Sequence, residues 1–330
     1  MKIAFLTTRM EKPSARYRFL QYVPYLEGEG LTINLMTIPS TYSNRQSFFK
    51  TLSDYDVVFL QKKLFGLIDW RALRRRAKRI IFDFDDAVMY KDSKSMKAES
   101  SSRLRRFERV VKGSDMVIAG NKYLEEWASR YSDNVMVIPT SIDMNVYCDK
   151  TSAQKYDVVT LGWIGSASTL IYLEKIRDVL DVISDKYPNV RLKIIADKFL
   201  DESMMPLVKK EWRAEDEMED LLSLDIGLMP LTDDPWSRGK CGFKLLQYMG
   251  TGLCSVASPI GVNTEIISHG INGLLASTDE EWVSCLSRLI EDVNLRAALG
   301  RDARKTVIES YSTEVNAAKL LNVLKEVSSQ

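Results

Sequence analysis

The sequence predicts an α/β protein built as two Rossmann-like parallel-sheet domains, and three observations carry that expectation. Short buried-type runs, rich in Val, Ile, Leu and Phe, alternate with segments of helical periodicity. The alternation occurs twice, once in each half. The length of 330 residues suits two ordinary domains, and a hydrophobic share of 45% can fill two cores.

In the first half the runs are Ile3 to Leu6, Val57 to Leu60, Ile80 to Phe84, Met116 to Ala119 and Val135 to Ile138. In the second they are Val158 to Ile164, Leu192 to Ala196, Ile226 to Met229 and Cys254 to Ala257. Continuous apolar runs of this length suit strands covered on both faces, as parallel sheets require. The segment Pro139 to Asp143, followed by 149–155, is the expected connection. The boundaries predicted are 1–148 for an N-terminal Rossmann-like domain, 149–312 for a C-terminal one, and 313–330 for a closing helix. That last segment carries Val315, Leu320, Leu321 and Leu324 at helical spacing. No solenoid repeat or low-complexity tract interrupts the pattern.

Composition narrows the classes. Four scattered cysteines, Cys148, Cys241, Cys254 and Cys285, lack metal-ligand spacing and favour a reducing cytoplasm over a disulfide framework. The single histidine argues against a His-based zinc site. The opening run Ile3 to Leu6 is too short for a signal segment, and no apolar run reaches the roughly 18 residues of a membrane span. Residues 1–150 hold about 26 basic against about 18 acidic side chains, with the excess in Arg71 to Arg79 and Arg103 to Lys112. Such runs are either solvated helix faces or a face for an anionic membrane; few aromatics interleave them, which disfavours nucleic acid.

Ligands of open α/β sheets bind beyond the carboxyl ends of the strands. After the apolar run Ile226 to Met229 come Arg238, Gly239, Lys240, Cys241, Gly242, Phe243 and Lys244, followed by helical periodicity. Glycines, cations and a helix start together suit a diphosphate, with backbone N–H groups and the helix end reinforced by Arg and Lys. A second candidate loop is Gly162 to Thr169, where Gly165 and Ser166 precede an expected helix over Leu170 to Ile183. There Ser166 or Ser168 could instead cap the helix. Val208 to Glu219, with Trp212 and Arg213, offers either an aromatic support for a base or an amphipathic helix with one buried Trp. Ser14 is the expected N-cap of a helix carrying Arg16 and Arg18, of which Arg16 is expected to face an anionic group. Asp83, Asp85 and Asp86 follow a strand and could contact an acceptor, bind a metal, or close a structural loop.

The stretch from Asp225 through Gly250, continued through Thr251 to Pro259, Glu265 and His269 to Ala276, resembles the donor-binding half of family 4 (group 1) glycosyltransferases of the GT-B fold. The resemblance extends over nearly the whole chain. It implies two Rossmann-like domains facing across a cleft, with a terminal helix crossing back, and a hexosyltransferase-type enzyme. The reaction implied moves a sugar from a nucleoside-diphosphate sugar to an acceptor hydroxyl, with retention of configuration, no essential metal and no cofactor. The implied partners are the nucleotide sugar and a carbohydrate or lipid-linked acceptor; the basic excess of the first half adds an anionic membrane surface, at the inner face of a cytoplasmic membrane, as a further expected partner. By the resemblance, Arg238, Lys240 and Lys244 meet the diphosphate, with Lys198 contributing; Gln247 and Glu265 lie near the ribose, and Trp212 and Arg213 near the base. Asp85 and Asp86, expected to contact the acceptor or the donor sugar, are the catalytic candidates with Arg238 and Lys244, while Ser14, Arg16 and Asn121 are expected on the acceptor side. The start Ser14-Ala15-Arg16-Tyr17-Arg18 resembles a bacterial subgroup associated with surface polysaccharide.

Four departures from the family pattern stand out. The family's Glu pair falls on Gly239 and Gln247, its usual Arg on Trp163, and its N-domain histidine and Gly-Gly pair are absent. The lost Glu pair leaves room for a noncatalytic nucleotide-sugar-binding subunit, and the Asp83/Asp85 spacing for a GT-A-like metal-dependent transferase. His269, followed by Gly270-Ile271-Asn272-Gly273, resembles the histidine of the family's Gly-Asn-Gly turn and is expected to be structural.

Overall fold

The structure is a computed structural model that describes residues 1–95, 97–149 and 158–329. It divides into two compact units. The first comprises Met1–Ser141, Asp234–Cys241 and Thr313–Gln330; the second comprises Ile142–Asp233 and Gly242–Ser312. The boundary therefore falls at Ser141, earlier than residue 148, and the short segment Asp234–Cys241 belongs with the first unit rather than the second. Of the expected linker, residues 150–157 lie outside the described residues.

The first unit is built on six parallel strands: β1 (Lys2–Thr7), β2 (Thr32–Thr37), β3 (Val57–Gln61), β4 (Ile80–Phe84), β5 (Met116–Ala119) and β6 (Val135–Val137). Their order is β2-β1-β3-β4-β5-β6. Alternation along each strand sends side chains to opposite faces. Ala4, Leu6, Val58, Leu60, Phe82 and Phe84 enter one apolar layer with Trp70, Leu73 and Phe107. Ile3, Phe5, Val57, Phe59 and Ile81 enter the other with Phe19 and Tyr22. The closing helix Thr313–Ser329 covers this second layer through Ala317, Leu320, Leu321, Leu324 and Val327. Burying a side chain such as Leu324 contributes about 1.5–3 kcal/mol, so the closing helix is part of the first unit's core.

The second unit repeats the plan with β7 (Val159–Ile164), β8 (Val190–Ala196), β9 (Leu207–Glu211), β10 (Ile226–Met229), β11 (Ser255–Ala257) and β12 (Leu274–Leu275). All are parallel, in the order β12-β11-β10-β7-β8-β9. Trp163, Leu161, Leu192, Ile194, Ile226 and Val256 lie in its core with Trp282 and Leu286.

Three local expectations are corrected. The first helix, Pro13–Arg18, is capped at Lys12 without a side-chain bond, so Ser14 is not an N-cap but lies inside the first turn. The helix expected over 170–183 is two, Leu170–Glu174 and Arg177–Lys186, and its N-cap position is Thr169, not Ser166 or Ser168. Residues 208–219 are not one amphipathic helix, because β9 occupies the first part and the helix Glu217–Leu222 starts later.

Candidate functional site

At the carboxyl ends of β3, β4 and β5 the first unit gathers charged groups from distant parts of the sequence. Arg18 is buried and grips Asp83 with two nitrogens, one bonded to Oδ1 and Nε 3.3 Å from Oδ2. Its Nη1 donates to the Ile138 carbonyl at 2.7 Å. Burial opposes the guanidinium charge, but Asp83 outweighs it and holds Arg18 above its ordinary range. Arg16, on the same helix, is exposed, with its guanidinium 5.1 Å from the Tyr17 ring centre. Asp83, which the metal-dependent alternative needed, is thus committed to Arg18. Among the described residues no group of three or more His, Cys, Asp or Glu side chains is arranged to hold a metal ion.

Lys62 sits just beyond β3 in a left-handed backbone conformation, φ 56°. Its N–H donates to the Asp83 carbonyl at 2.8 Å, and its Nζ lies 2.8 Å from Asp85 Oδ1 and bonds Asp86 Oδ2. Burial opposes this charge too, yet the two carboxylates prevail and raise the Lys62 ammonium well above the usual lysine range. Sequence reasoning passed over Lys62. The available signal was its place at the end of a buried strand, but only the β3–β4 register, Gln61 opposite Asp83, brings it beside the aspartate loop.

The segment Asp234–Cys241 lies on this cluster. Asp234 caps the short helix Pro235–Arg238 and accepts from Ser93 Oγ at 3.1 Å. Asn121 caps the helix Lys122–Ser129 through Oδ1 and donates from Nδ2 to the Lys240 carbonyl at 2.9 Å. It is buried and serves as a brace between these two segments. The Cys241 thiol donates to the Asp85 carbonyl at 3.2 Å, and burial pushes its pKa up. A Cβ on Gly239 would stand 2.6 Å from Ala87 Cβ and 2.8 Å from Ala87 N. The position where the resemblance puts the first Glu of a pair therefore has no room for a side chain. Arg238 is exposed; Lys240 is half-buried, its Nζ 6.0 Å from the Trp236 ring centre.

The second unit begins again at Gly242, whose φ of 66° turns the chain into the helix Phe243–Gly250. Lys244 is in its first turn, and its Nζ lies 5.3 Å from the ring centre of the buried Trp163. The cations grouped by the sequence thus fall in different units, Arg238 and Lys240 in the first and Lys244 in the second. A Cβ at Gly165 would come 2.2 Å from Trp163 Cη2, so glycine there makes space for the indole. The Tyr248 hydroxyl accepts the Ile164 N–H at 3.0 Å, tying the same helix to the end of β7.

The amides of the loop after β7 bond to that loop and to the end of β8 and the loop after it. Gly165 N–H donates to the Ile195 carbonyl (2.9 Å), Ser166 N–H to Thr169 Oγ1 (3.1 Å) and Ala167 N–H to Asp197 Oδ1 (2.6 Å). Lys198 is exposed beside Asp197 in sequence. Gln247 is buried and donates to the Tyr147 hydroxyl at 3.4 Å; that hydroxyl donates to Glu217 Oε1 at 3.2 Å. Glu217 Oε2 accepts the Trp212 indole N–H at 3.0 Å while the indole stays exposed. Arg213 and Glu265 are exposed. His269 Nδ1 accepts the Leu275 N–H at 3.0 Å, a turn-closing bond.

Residues 161–292 match the family Glycosyl transferases group 1. No curated protein sequence matches the chain. Among solved structures, Alr3699/HepE of Anabaena in complex with UDP and glucose superposes with a TM-score of 0.73 at 16% identity, covering 98% of this chain and 99% of that one. Sucrose-phosphate synthase of Thermosynechococcus elongatus gives 0.74 at 13% identity, covering 98% of each chain. A TarM variant of S. aureus, in complex with Fondaparinux, alpha-GlcNAc-glycerol and UDP, gives 0.65 at 15%, covering 85% of this chain and 58% of that one. The fold is GT-B. This excludes the GT-A-like alternative, which has no place for a second parallel sheet. The comparisons support a glycosyltransferase.

The basic run Arg71 to Arg79 is partly tied down by ion pairs within the first unit. Trp70 and Leu73 are buried, 6% and 0% exposed, whereas Leu67 and Ile68 of the same helix, Leu67–Arg74, are 46% and 65% exposed. Arg74 and Arg79 both pair with Asp115, and Lys78 pairs with Asp56. Arg71, Arg75 and Arg76 are exposed. Among the described residues no helix is long and apolar enough to cross a membrane.

Proposed function

We propose that this chain transfers a hexosyl group from a nucleoside-diphosphate sugar to an acceptor hydroxyl, with retention of configuration and without an essential metal or cofactor. The observation that carries the reading is the group 1 match over residues 161–292, which contains the glycine turn at Gly242 and the helix bearing Lys244. In the step proposed, the bond from the sugar C1 to the diphosphate oxygen breaks, and a bond from C1 to the acceptor oxygen forms on the same face. The acceptor proton passes to the departing diphosphate. Lys244 and the helix start at Phe243 stabilise the negative charge that develops there. Asp85 and Asp86 accept the acceptor's hydrogen bonds, and a carbohydrate or lipid-linked acceptor at the inner face of a cytoplasmic membrane, in surface polysaccharide or glycolipid assembly, suits the exposed cations Arg71, Arg75 and Arg76. Because HepE is described with UDP and with UDP-glucose, uridine nucleotides are the first donors to test.

A second reading, a nucleotide-sugar-binding subunit without its own chemistry, is favoured by the lack of room at Gly239 and by the inward bond of Gln247 to Tyr147. One experiment separates the two. Thermal shift against a panel of nucleoside diphosphates and their sugars finds the donor, since a ligand at 100 times its Kd stabilises the native state by about 2.7 kcal/mol. Donor hydrolysis and transfer are then followed with and without EDTA. Turnover unaffected by EDTA supports the transferase; binding without any turnover supports the subunit; no binding by any nucleotide overturns both.

A further inference from the structure

We propose that Lys62 is a positioning residue for the acceptor: anchored on the inner carboxylate of Asp85, its ammonium fixes the outer carboxylate of Asp86 where that group accepts the hydrogen bond of a neutral acceptor hydroxyl. The proposal rests on the transferase reading above and deepens its acceptor side.

The geometry divides the two aspartates. Asp85 is the more enclosed, 13% exposed at the side chain, against 27% for Asp86. Its carbonyl receives the Cys241 thiol, and its Cα stands 3.1 Å from where a Cβ on Gly120 would be, so its backbone is pinned from two sides. Lys62 is pinned as well, by the N–H bond to the Asp83 carbonyl and by a left-handed conformation that few side-chain-bearing residues adopt. An ammonium held at both ends of its side chain can hold a second carboxylate in place, and the one it holds is the more open to solvent. Such rigid placement is what a reacting hydroxyl needs.

The charges explain why the ligand is a hydroxyl rather than an anion. Around Lys62 stand Asp85 and Asp86 from the loop after β4, the ion pair of Asp83 on β4 with Arg18 on the first helix, and the neutral buried thiol of Cys241. Arg18 and Asp83 cancel, and Lys62 cancels one of its two carboxylates. One negative charge remains, which repels a phosphate and attracts an O–H donor.

The test uses the full chain and the donor and acceptor that the transfer assay identifies. In Lys62→Met the two carboxylates lose their shared cation, so kcat/KM for the acceptor falls about 10- to 100-fold, the loss expected for a charge-assisted hydrogen bond. UDP affinity stays within twofold. Adding Lys62→Met to Asp86→Asn costs little further, since the carboxylate that Lys62 serves is already gone. A Lys62→Met enzyme with the native acceptor kcat/KM overturns the inference while leaving the transferase intact; a native chain that transfers nothing overturns the transferase reading instead. Should Lys62→Met fail to fold, Lys62→Arg keeps the charge but not the single-nitrogen geometry, and is expected to lower acceptor kcat/KM with UDP affinity unmoved. Native values in that variant also overturn the inference.

Discussion

The two sheets have the same number of strands and the same parallel sense, yet the groups at their carboxyl ends are organised differently. In the first unit acids and cations are matched inside the protein: Asp83 with Arg18, Asp85 and Asp86 with Lys62. In the second unit Lys244 lies over the ring of Trp163, and the amides of Ser166 and Ala167 bond Thr169 and Asp197. Internal matching fixes side chains in place at the cost of desolvation, whereas a cation over an aromatic face is held by a weaker attraction. In the function proposed, the first end orients a neutral group and the second receives a charged one.

The sharpest way to break the comparison is to remove a matched charge. Arg18→Met strands Asp83 as a buried carboxylate, and losing one partner of a buried pair costs about 3–5 kcal/mol. Urea unfolding followed by tryptophan fluorescence should show that loss; a change below about 1 kcal/mol would mean that Asp83 finds water or simply takes a proton. Lys244→Ala, in contrast, should leave stability almost unchanged and weaken nucleoside diphosphate binding by about 1.5–3 kcal/mol, measured by calorimetry. Unaltered affinity would remove Lys244 from the donor site.

Gly239→Ala probes the seam between segment Asp234–Cys241 and the aspartate loop. The new methyl meets Ala87 backbone as well as side chain, so the loop must shift, and overpacking of this kind costs about 1–3 kcal/mol. The accompanying loss of transfer should exceed the loss of diphosphate affinity, because the displaced loop carries Asp85 and Asp86. If diphosphate affinity drops as much as transfer, the segment acts on the donor instead.

How much of this was legible depends on where burial is two-sided. Central strands such as β3, β4 and β10 are continuous apolar runs and announce themselves. Edge strands do not: β2 alternates exposed and half-buried residues, and β9 ends in Lys209, Lys210 and Glu211, as edges that must avoid unwanted pairing often do. The loop chemistry was legible as letters, Asp85, Asp86 and Lys244, but not as partners. Lys62 meets Asp85 only because β3 and β4 are neighbours, and Asp234–Cys241 joins the first unit although both its sequence neighbours belong to the second. No local pattern encodes either fact. Gly239 is the instructive case: its sequence shows only that a carboxylate is absent, while its surroundings supply the steric reason.

Ion pairing also divides the outer surface of the first unit, where the expected effect is smallest. Arg74, Lys78 and Arg79 are tied to Asp115 and Asp56, so only Arg71, Arg75 and Arg76 of that run remain for an anionic surface, and Leu67 and Ile68, not Trp70 and Leu73, are the apolar side chains able to enter headgroups. Each exposed cation contributes about 1 kcal/mol near an anionic bilayer, and the attraction decays within a Debye length. Co-sedimentation with phosphatidylserine vesicles at low and high salt should therefore fall stepwise when Arg71, Arg75 and Arg76 are changed to Gln. Ile68→Asp should weaken binding at both ionic strengths, because it removes apolar contact and adds a like charge. Replacing Arg74 and Arg79 should matter little to vesicles and more to stability, since their charge is already spent on Asp115. Pelleting that is independent of salt and of all three exposed arginines would mean that this face is solvated and that the acceptor reaches the chain from solution.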